Sequence, residues 1–218
     1  MNGAAFAAVL FDLDGTLIDS APDLAGAAND MRAARGLAPV AYELLRERCG
    51  SGARGMLGGA FDVAPGDERF EPLKHEFLDL YEARMLRHTR VFDEVAVLLQ
   101  DLTLPWGIVT NKAERFALPI AAALGLHRAA AVVGGDTTGH TKPHPAPLLE
   151  AARRLGVEPA RCLYVGDDER DVTAGRAAGM ATAAVRWGYV GHGKPIEAWG
   201  ADFLLSVPGE LLKLLRVP

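Results

Sequence analysis

The residues AAVLFDLDGT at positions 7–16 decide the fold that we predict for this chain. The apolar run Ala7 to Leu13 has the length and composition of a buried strand, and it carries Asp12 and Asp14 at its end, directly before Gly15 and Thr16. Open parallel sheets bind ligands beyond the carboxyl ends of their strands. Two carboxylates at such a strand end therefore indicate a ligand site and not only a capped loop.

Working outward from this stretch, apolar runs of strand length recur along the rest of the chain and alternate with helical patterns. We predict five further strands, at Trp106 to Thr110, Ala129 to Gly134, Cys162 to Gly166, Thr182 to Arg186 and Asp202 to Leu205. We predict helices at Phe92 to Leu102, Leu148 to Leu155 and Asp171 to Ala178. Near-continuous apolar strands alternating with helices predict an α/β fold with a Rossmann-like parallel sheet covered on both faces.

The segment from Ser20 to about Arg90 differs because it contains helical patterns and no clear strand. A helix start lies at Ser20 to Asp23, a stop at Arg35-Gly36, and a second helical pattern runs from Phe70 to Arg84. We therefore predict an all-helical cap domain at 19–87, inserted into a core formed by 1–18 and 88–218. Within the cap, Ser51 to Gly55 is predicted to be a glycine-flanked loop between helices.

Composition excludes several classes of protein. The 218 residues, half of them hydrophobic, suit a core with a smaller cap, and the net charge of −5 predicts neither nucleic acid nor an anionic membrane as partner. No apolar run reaches the roughly 18 residues of a spanning helix, and the first residues have no basic region of a signal peptide. The two cysteines, Cys49 and Cys162, are predicted to be buried thiols, and we expect a cytoplasmic monomer or homodimer.

Chemistry-bearing residues stand at four predicted strand ends: Asp12 and Asp14, then Thr110, then Lys142 after the third run, then Asp167 and Asp171. Clustered carboxylates repel one another unless a cation lies among them. Oxygen ligands with few imidazoles or thiolates favour Mg²⁺, while a hydroxyl and a lysine suit a phosphoryl group. The set predicts phosphoryl transfer from a small phosphorylated metabolite through an aspartyl-phosphate.

These residues resemble the four motifs of the haloacid dehalogenase superfamily. The motifs are Phe11 to Thr16, then Thr110, then Lys142-Pro143, then Gly166-Asp167 with Asp171, and they occur in order along the chain. The helical insertion resembles the C1-cap branch, which includes phosphoglycolate phosphatases. Finer details resemble a subgroup that acts on N-acetylmuramic acid 6-phosphate; among them are Ala21-Pro22-Asp23, Gly52-Ala53-Arg54 and Trp199-Gly200-Ala201-Asp202.

The resemblance implies a role for each matched residue. Asp12 would be the nucleophile. Asp14 would protonate the leaving oxygen and then activate the water that hydrolyses the aspartyl-phosphate. Thr110 and Lys142, with the backbone near Asn111 and Gly15, would bind the phosphoryl group. Mg²⁺ would be held by the Asp12 carboxylate, the Asp14 carbonyl and the Asp167 carboxylate. Asp171 would orient Lys142 or a metal-bound water, and whether Asp168 or Asp171 reaches the metal stays open.

Other chemistries of the superfamily fit less well. Asp14 argues against dehalogenation, because a halide needs no proton. Residues 44–61 hold no lysine for the Schiff base of a phosphonatase, and Leu24 stands where related sugar phosphomutases have a histidine. Phosphoglycolate, N-acetylmuramic acid 6-phosphate and other sugar phosphates remain open as substrates. Arg54 is predicted to contact a substrate carboxylate or sugar oxygen, with a surface arginine as the alternative. A non-catalytic binding protein is the alternative from another class.

Overall fold

The computed structural model describes residues 6–190 and 193–215. The chain divides into two compact units. One comprises Met1–Ile18 with Val91–Pro218, and the other comprises Asp19–Arg90. Two short strands, β2 at Ile18–Asp19 and β3 at Arg90–Val91, stand where the chain passes between the units.

The larger unit is built on a six-stranded parallel sheet in the order β5-β4-β1-β6-β7-β8. Its strands are β1 at Ala8–Phe11, β4 at Trp106–Val109, β5 at Ala131–Val133, β6 at Cys162–Gly166, β7 at Ala181–Val185 and β8 at Phe203–Leu205. This confirms the predicted parallel α/β fold. The observed strands are shorter than predicted at several ends, where the chain turns out of the sheet to form the loops that carry the polar residues.

Strand β1 lies at the centre, between β4 and β6. Val9 is in register with Trp106 on one side and with Leu163 on the other. All four residues of β1 are buried, as expected for a strand covered on both faces. The chain builds β4 and β5 to one side of β1 and then crosses to build β6, β7 and β8 on the other. The carboxyl end of β1 is therefore the switch point at which such sheets form a crevice.

Among the residues that the structure describes, this unit contains five α-helices. They are α5 at Asp93–Asp101, α6 at Glu114–Ala123, α7 at Ala146–Leu155, α8 at Glu169–Ala177 and α9 at Gly209–Leu215. Helix α7 ends at Gly156, whose φ of 67° is the left-handed conformation predicted for a glycine stop. Helix α8 begins with a capping box formed by Asp168 and Asp171, in which the Asp171 carboxylate accepts from the Asp168 N–H at 3.1 Å. The Asp168 side chain also accepts from the Arg170 N–H. Cys162 and Cys49 are both buried, as predicted.

The smaller unit is helical. It contains α1 at Ala21–Ala33, α2 at Tyr42–Arg46, α3 at Gly52–Phe61 and α4 at Phe70–Glu82. The prediction of a loop from Ser51 to Gly55 was wrong, because α3 begins at Gly52. The residues after Gly52 include Ala53, Met56 and Leu57, which favour helix, and burial of Met56 and Leu57 adds to that preference.

A buried carboxylate joins the two ends of the helical unit. Asp23, in the first turn of α1, is fully buried. Its Oδ2 accepts hydrogen bonds from the His88 N–H at 2.9 Å, the Thr89 N–H at 2.9 Å and the Thr89 hydroxyl at 2.8 Å. Arg84 approaches Oδ1 at 3.9 Å and also pairs with Asp30. The segment that leaves this unit is thus fastened to the helix that enters it. Over residues 6–190 and 193–215, no helix combines the length and apolarity needed to cross a membrane.

Candidate active site

The carboxylate of Asp12 lies at the carboxyl end of β1 and faces the ammonium group of Lys142. Asp12 is 8% exposed and Lys142 is 4% exposed. The Asp12 Oδ1 and Lys142 Nζ atoms are 2.7 Å apart. Asp12 therefore presents a buried carboxylate that is paired with the Lys142 ammonium group.

Lys142 is fixed along its whole length. Its Nζ lies 2.7 Å from Asp171 Oδ1 and donates to the Tyr164 hydroxyl at 2.9 Å and to the Val109 carbonyl at 3.2 Å. Its backbone N–H donates to Asn111 Oδ1 at 2.8 Å, and its carbonyl accepts from Asn111 Nδ2 at 3.0 Å. The loops after β4 and β5 are thereby locked together, and the ammonium group is held in one place beside Asp12.

Negative charge exceeds positive charge in this cluster. Burial, with the neighbouring charge of Asp171, raises the pKa of Asp12 to about 7, even though Lys142 acts in the opposite direction. Burial, together with Asp12 and Asp171, raises the pKa of Asp167 well above its usual range. For Lys142, burial favours the neutral amine, but Asp12 and Asp171 outweigh it and raise its pKa. The Lys142 ammonium group thus contacts two of the three buried carboxylates, Asp12 and Asp171, and a further cation would favour the ionised forms of all three.

The donor set fits a divalent cation that prefers oxygen. Asp12, Asp167 and Asp171 each offer a carboxylate oxygen, and these oxygens lie within 4.8 Å of one another. Asp12 and Asp167 are the two carboxylates predicted as ligands, and Asp171, whose reach to the metal the sequence left open, lies with them. The predicted ligand from Asp14 is its backbone carbonyl, which this set of side chains does not test.

Hydrogen bonds to both carboxylate oxygens orient the Asp167 side chain. Oδ1 accepts from the Thr16 hydroxyl at 2.8 Å, and Oδ2 accepts from the Tyr189 backbone N–H at 2.8 Å. Two glycines allow this approach: a Cβ added to Gly15, which has a φ of 87°, would lie 2.2 Å from Oδ2, and one added to Gly188 would lie 2.3 Å from the Asp167 Cβ. Close backbone approach therefore requires glycine at both positions.

The Asp14 side chain forms an ion pair with Lys112. Their Oδ1 and Nζ atoms are 3.1 Å apart, and the side chains are 15% and 7% exposed. Thr110, at the end of β4, is also buried, and its hydroxyl accepts from the Lys112 N–H at 3.1 Å. The predicted residues Asp12, Asp14, Thr110 and Lys142 therefore belong to neighbouring loops at one edge of the sheet.

The other predicted residues, Asp168, Asp171 and Arg54, lie at the starts of helices. Asp168 pairs with Arg170 and caps α8, while Asp171 is the acid that contacts Lys142. Arg54 is exposed and lies in the first turn of α3, within the helical unit. Its predicted contact with substrate stays a prediction.

Three contributors to this site were missed in the sequence. Tyr164 lies within β6 and reads as a core residue, yet its hydroxyl accepts from Lys142 and donates to Val109. The loop after β7 acts partly through its backbone, by the Tyr189 N–H, and through the Trp187 indole N–H, which donates to the Thr16 carbonyl at 3.0 Å. In the sequence, the dipeptide Trp187-Gly188 close after the strand was the feature that could have indicated a role for this loop.

Comparison with known proteins agrees with this geometry. Residues 6–179 match the family described as haloacid dehalogenase-like hydrolase. The chain is 44% identical over 212 residues to the N-acetylmuramic acid 6-phosphate phosphatase of Pseudomonas aeruginosa, covering 95% of this chain and 94% of that protein. It is 48% identical over 209 residues to the phosphoglycolate phosphatase of Xanthomonas campestris pv. campestris, covering 94% of each.

Among solved structures, a predicted phosphoglycolate phosphatase from Haemophilus somnus superposes with a TM-score of 0.85 at 28% identity, covering 99% of this chain and 100% of that one. The buried carboxylates and lysine at the edge of a parallel sheet, with these matches, define a hydrolase. The chain belongs to the haloacid dehalogenase-like hydrolase family.

Proposed function

We propose that this protein is a Mg²⁺-dependent phosphomonoester hydrolase that acts through an aspartyl-phosphate on a small phosphorylated metabolite. The observation that carries the proposal is the pair of acids on one strand end, with Asp12 held against Lys142 and Asp14 held against Lys112. Nucleophilic attack by Asp12 needs an acid at the leaving oxygen, and Asp14 is the second acid on the same short loop.

In the first step, a carboxylate oxygen of Asp12 attacks the phosphorus atom. The bond from phosphorus to the ester oxygen breaks and its electron pair goes to that oxygen. Asp14, which enters this step in its acid form, supplies the proton that makes the leaving alcohol neutral. Lys142 and Thr110 bind the phosphoryl oxygens, with Asn111 and Gly15 supplying nearby backbone. Because Lys142 is held by Asp171 and Tyr164 as well, its charge needs little rearrangement during the reaction.

In the second step, water attacks the phosphorus atom of the aspartyl-phosphate. Asp14, now a carboxylate, takes a proton from that water, the bond from phosphorus to the Asp12 oxygen breaks, and inorganic phosphate leaves. Asp12 is restored as a carboxylate and Asp14 as an acid. The same residue thus serves as acid and then as base, as the reversal of its protonation requires.

The acidic cluster would hold the Mg²⁺ ion. Asp12 and Asp167 would be its carboxylate ligands, the Asp14 carbonyl the third protein ligand, and Asp171 a partner of Lys142 or of a metal-bound water. When bound, the ion neutralises charge on the phosphoryl oxygens. Support comes from the close approach of the three carboxylates and from the raised pKa values of Asp12 and Asp167.

For the substrate, we propose a phosphate ester that also carries a carboxylate. The relatives above are named for phosphoglycolate and for N-acetylmuramic acid 6-phosphate, and both compounds join these two groups. We propose that residues 19–87 act as a C1 cap that chooses the substrate, with Arg54 contacting the carboxylate. A cytoplasmic monomer or homodimer would suit such a metabolic role.

The test is phosphate release from an ester panel with Mg²⁺ and with EDTA. The panel contains phosphoglycolate, N-acetylmuramic acid 6-phosphate, hexose 6-phosphates and p-nitrophenyl phosphate. We expect EDTA-sensitive turnover that Asp12→Asn abolishes while the melting temperature stays near that of wild type. The exposed Asp101 provides the control variant Asp101→Asn, which keeps full activity. Absence of EDTA-sensitive turnover on every ester would refute the proposal.

A further inference from the structure

A second buried lysine stands at the site, and no step described above uses it. Lys112 lies two residues after Thr110, and its side chain is 7% exposed. Its Nζ is 3.1 Å from Asp14 Oδ1. A long, flexible side chain loses considerable rotamer freedom when it is held in one position, so the folded protein commits Lys112 to the neighbourhood of Asp14.

Asp12 and Asp14, the two acids at the end of β1, form ion pairs with different lysines. Lys142 Nζ lies 2.7 Å from Asp12 and 2.7 Å from Asp171, and it also donates to Tyr164. In the structure, the ammonium group that pairs with Asp14 is that of Lys112. A substitution at Lys112 therefore removes the cation beside Asp14, the leaving-group acid. It leaves Lys142 in place beside Asp12, the nucleophile.

The backbone of Lys112 is fixed as firmly as its side chain. Its N–H donates to the Thr110 hydroxyl at 3.1 Å, and its carbonyl accepts from the Gly135 N–H at 2.9 Å. The packing at Gly135 is so close that an added Cβ would lie 2.3 Å from the Asn111 carbonyl oxygen. The Lys112 ammonium group is therefore supported by an anchored loop and not by a mobile one.

We propose that Lys112 is the positioning residue for Asp14, holding its carboxyl group at the ester oxygen of the substrate. This inference rests on the proposed function, in which Asp14 exchanges a proton with the leaving group. Lys112 acts through Asp14 and does not itself touch the reacting atoms. A correctly placed acid is most important when the leaving oxygen is strongly basic, because an alkoxide leaves poorly without a proton.

The consequence is a dependence on the leaving group. An alkyl phosphate must release a strongly basic alkoxide and needs Asp14 in position. In p-nitrophenyl phosphate, the leaving phenolate is weakly basic and departs without a proton. The value of kcat/KM reports the steps up to release of the alcohol, so it isolates the proton donation from the later attack by water.

The experiment measures kcat/KM of wild type and Lys112→Met on ethyl phosphate, phosphoglycolate and p-nitrophenyl phosphate. We expect a loss of about 10- to 100-fold on both alkyl esters, a part of the roughly 10²- to 10⁴-fold that a positioned acid contributes, and a loss below roughly threefold on the aryl ester. Lys112→Arg keeps the charge and should recover part of the alkyl activity. Lys74→Met removes a half-exposed lysine that pairs with Glu71 and is the matched control, with no change expected.

Each contrary outcome has a distinct meaning. Equal losses on alkyl and aryl esters, or no loss on either, would overturn the positioning role. A loss on phosphoglycolate but not on ethyl phosphate would also overturn it, because Lys112 would then bind the substrate carboxylate. If wild type hydrolyses none of the three esters, the proposed function fails, and the role of Lys112 fails with it. Melting temperatures of all variants check that the fold is retained.

Discussion

The hydroxyl of Tyr164 offers the sharpest test of how the site is held together. It lies in the buried strand β6, accepts from Lys142 Nζ at 2.9 Å and donates to the Val109 carbonyl at 2.9 Å. Burial raises the pKa of Tyr164 well above its usual value, so the hydroxyl keeps its proton at working pH. Tyr164→Phe removes only this group, leaving the ring in place.

The expected loss of stability depends on which contacts remain for the former partners of the Tyr164 hydroxyl. Val109 still accepts from Lys142 at 3.2 Å, and Lys142 still faces Asp12 and Asp171 at 2.7 Å. Asp171 Oδ1, which also lies within hydrogen-bond distance of the hydroxyl at 3.2 Å, keeps its ion pair with Lys142, so no buried group is left without a partner. The loss is then dominated by the hydrogen bond to the charged Lys142, about 1.5–3 kcal/mol. For a chain of this size, each kcal/mol lowers the melting temperature by about 2–4 °C. The predicted shift is therefore about 3–12 °C.

Urea unfolding and thermal melting followed by circular dichroism measure this cost. Tyr42→Phe makes the same substitution at a residue that is 38% exposed, and it should change stability by less than about 0.5 kcal/mol. If the melting temperatures of Tyr164→Phe and Tyr42→Phe both lie within about 1 °C of wild type, the Tyr164 hydroxyl does not stabilise the Lys142 cluster. A loss well above about 3 kcal/mol would also refute the reasoning, because it would mean that Lys142 had lost its other partners.

Two further predictions concern the metal site and the helical unit. Gly188→Ala places a Cβ 2.3 Å from that of Asp167, so we expect a higher Mg²⁺ concentration for half-maximal activity and a smaller Mg²⁺-induced rise in melting temperature. Gly209→Ala, where a Cβ meets nothing within 4 Å, is its control, and equal Mg²⁺ responses would contradict the prediction. Asp23→Ala removes three hydrogen bonds to His88 and Thr89 and should destabilise the helical unit by about 3 kcal/mol. Hydrogen exchange measures this at those two amides, and unchanged protection there would count against it.

Much of this architecture follows from sequence pattern because strand ends are local features. Asp12, Thr110 and Asp167 each stand directly after an apolar run, and the parallel sheet brings the ends of those runs to one edge. Tyr164 could not be found in this way, since a tyrosine within an apolar strand has the pattern of core packing. The Tyr189 contact was also beyond prediction, because it uses a backbone N–H that every residue except proline carries.

The order of the strands explains why one lysine can serve acids from distant parts of the sequence. Strand β1 has β4 on one side and β6 on the other, so Asp12 at its end is flanked by the loops of both. Lys142, which is tied to the β4 loop through Asn111, reaches across β1 to Asp171 at the start of α8, beyond β6. The ion pair to Asp171 therefore spans the switch point of the sheet, with Asp12 between the two loops. Strands β4, β6 and β7 also have a neighbour on each side, but the chain places β4 and β5 on one side of β1 and β6 to β8 on the other. The crevice of the sheet therefore opens at the end of β1, which is why the nucleophile is expected there.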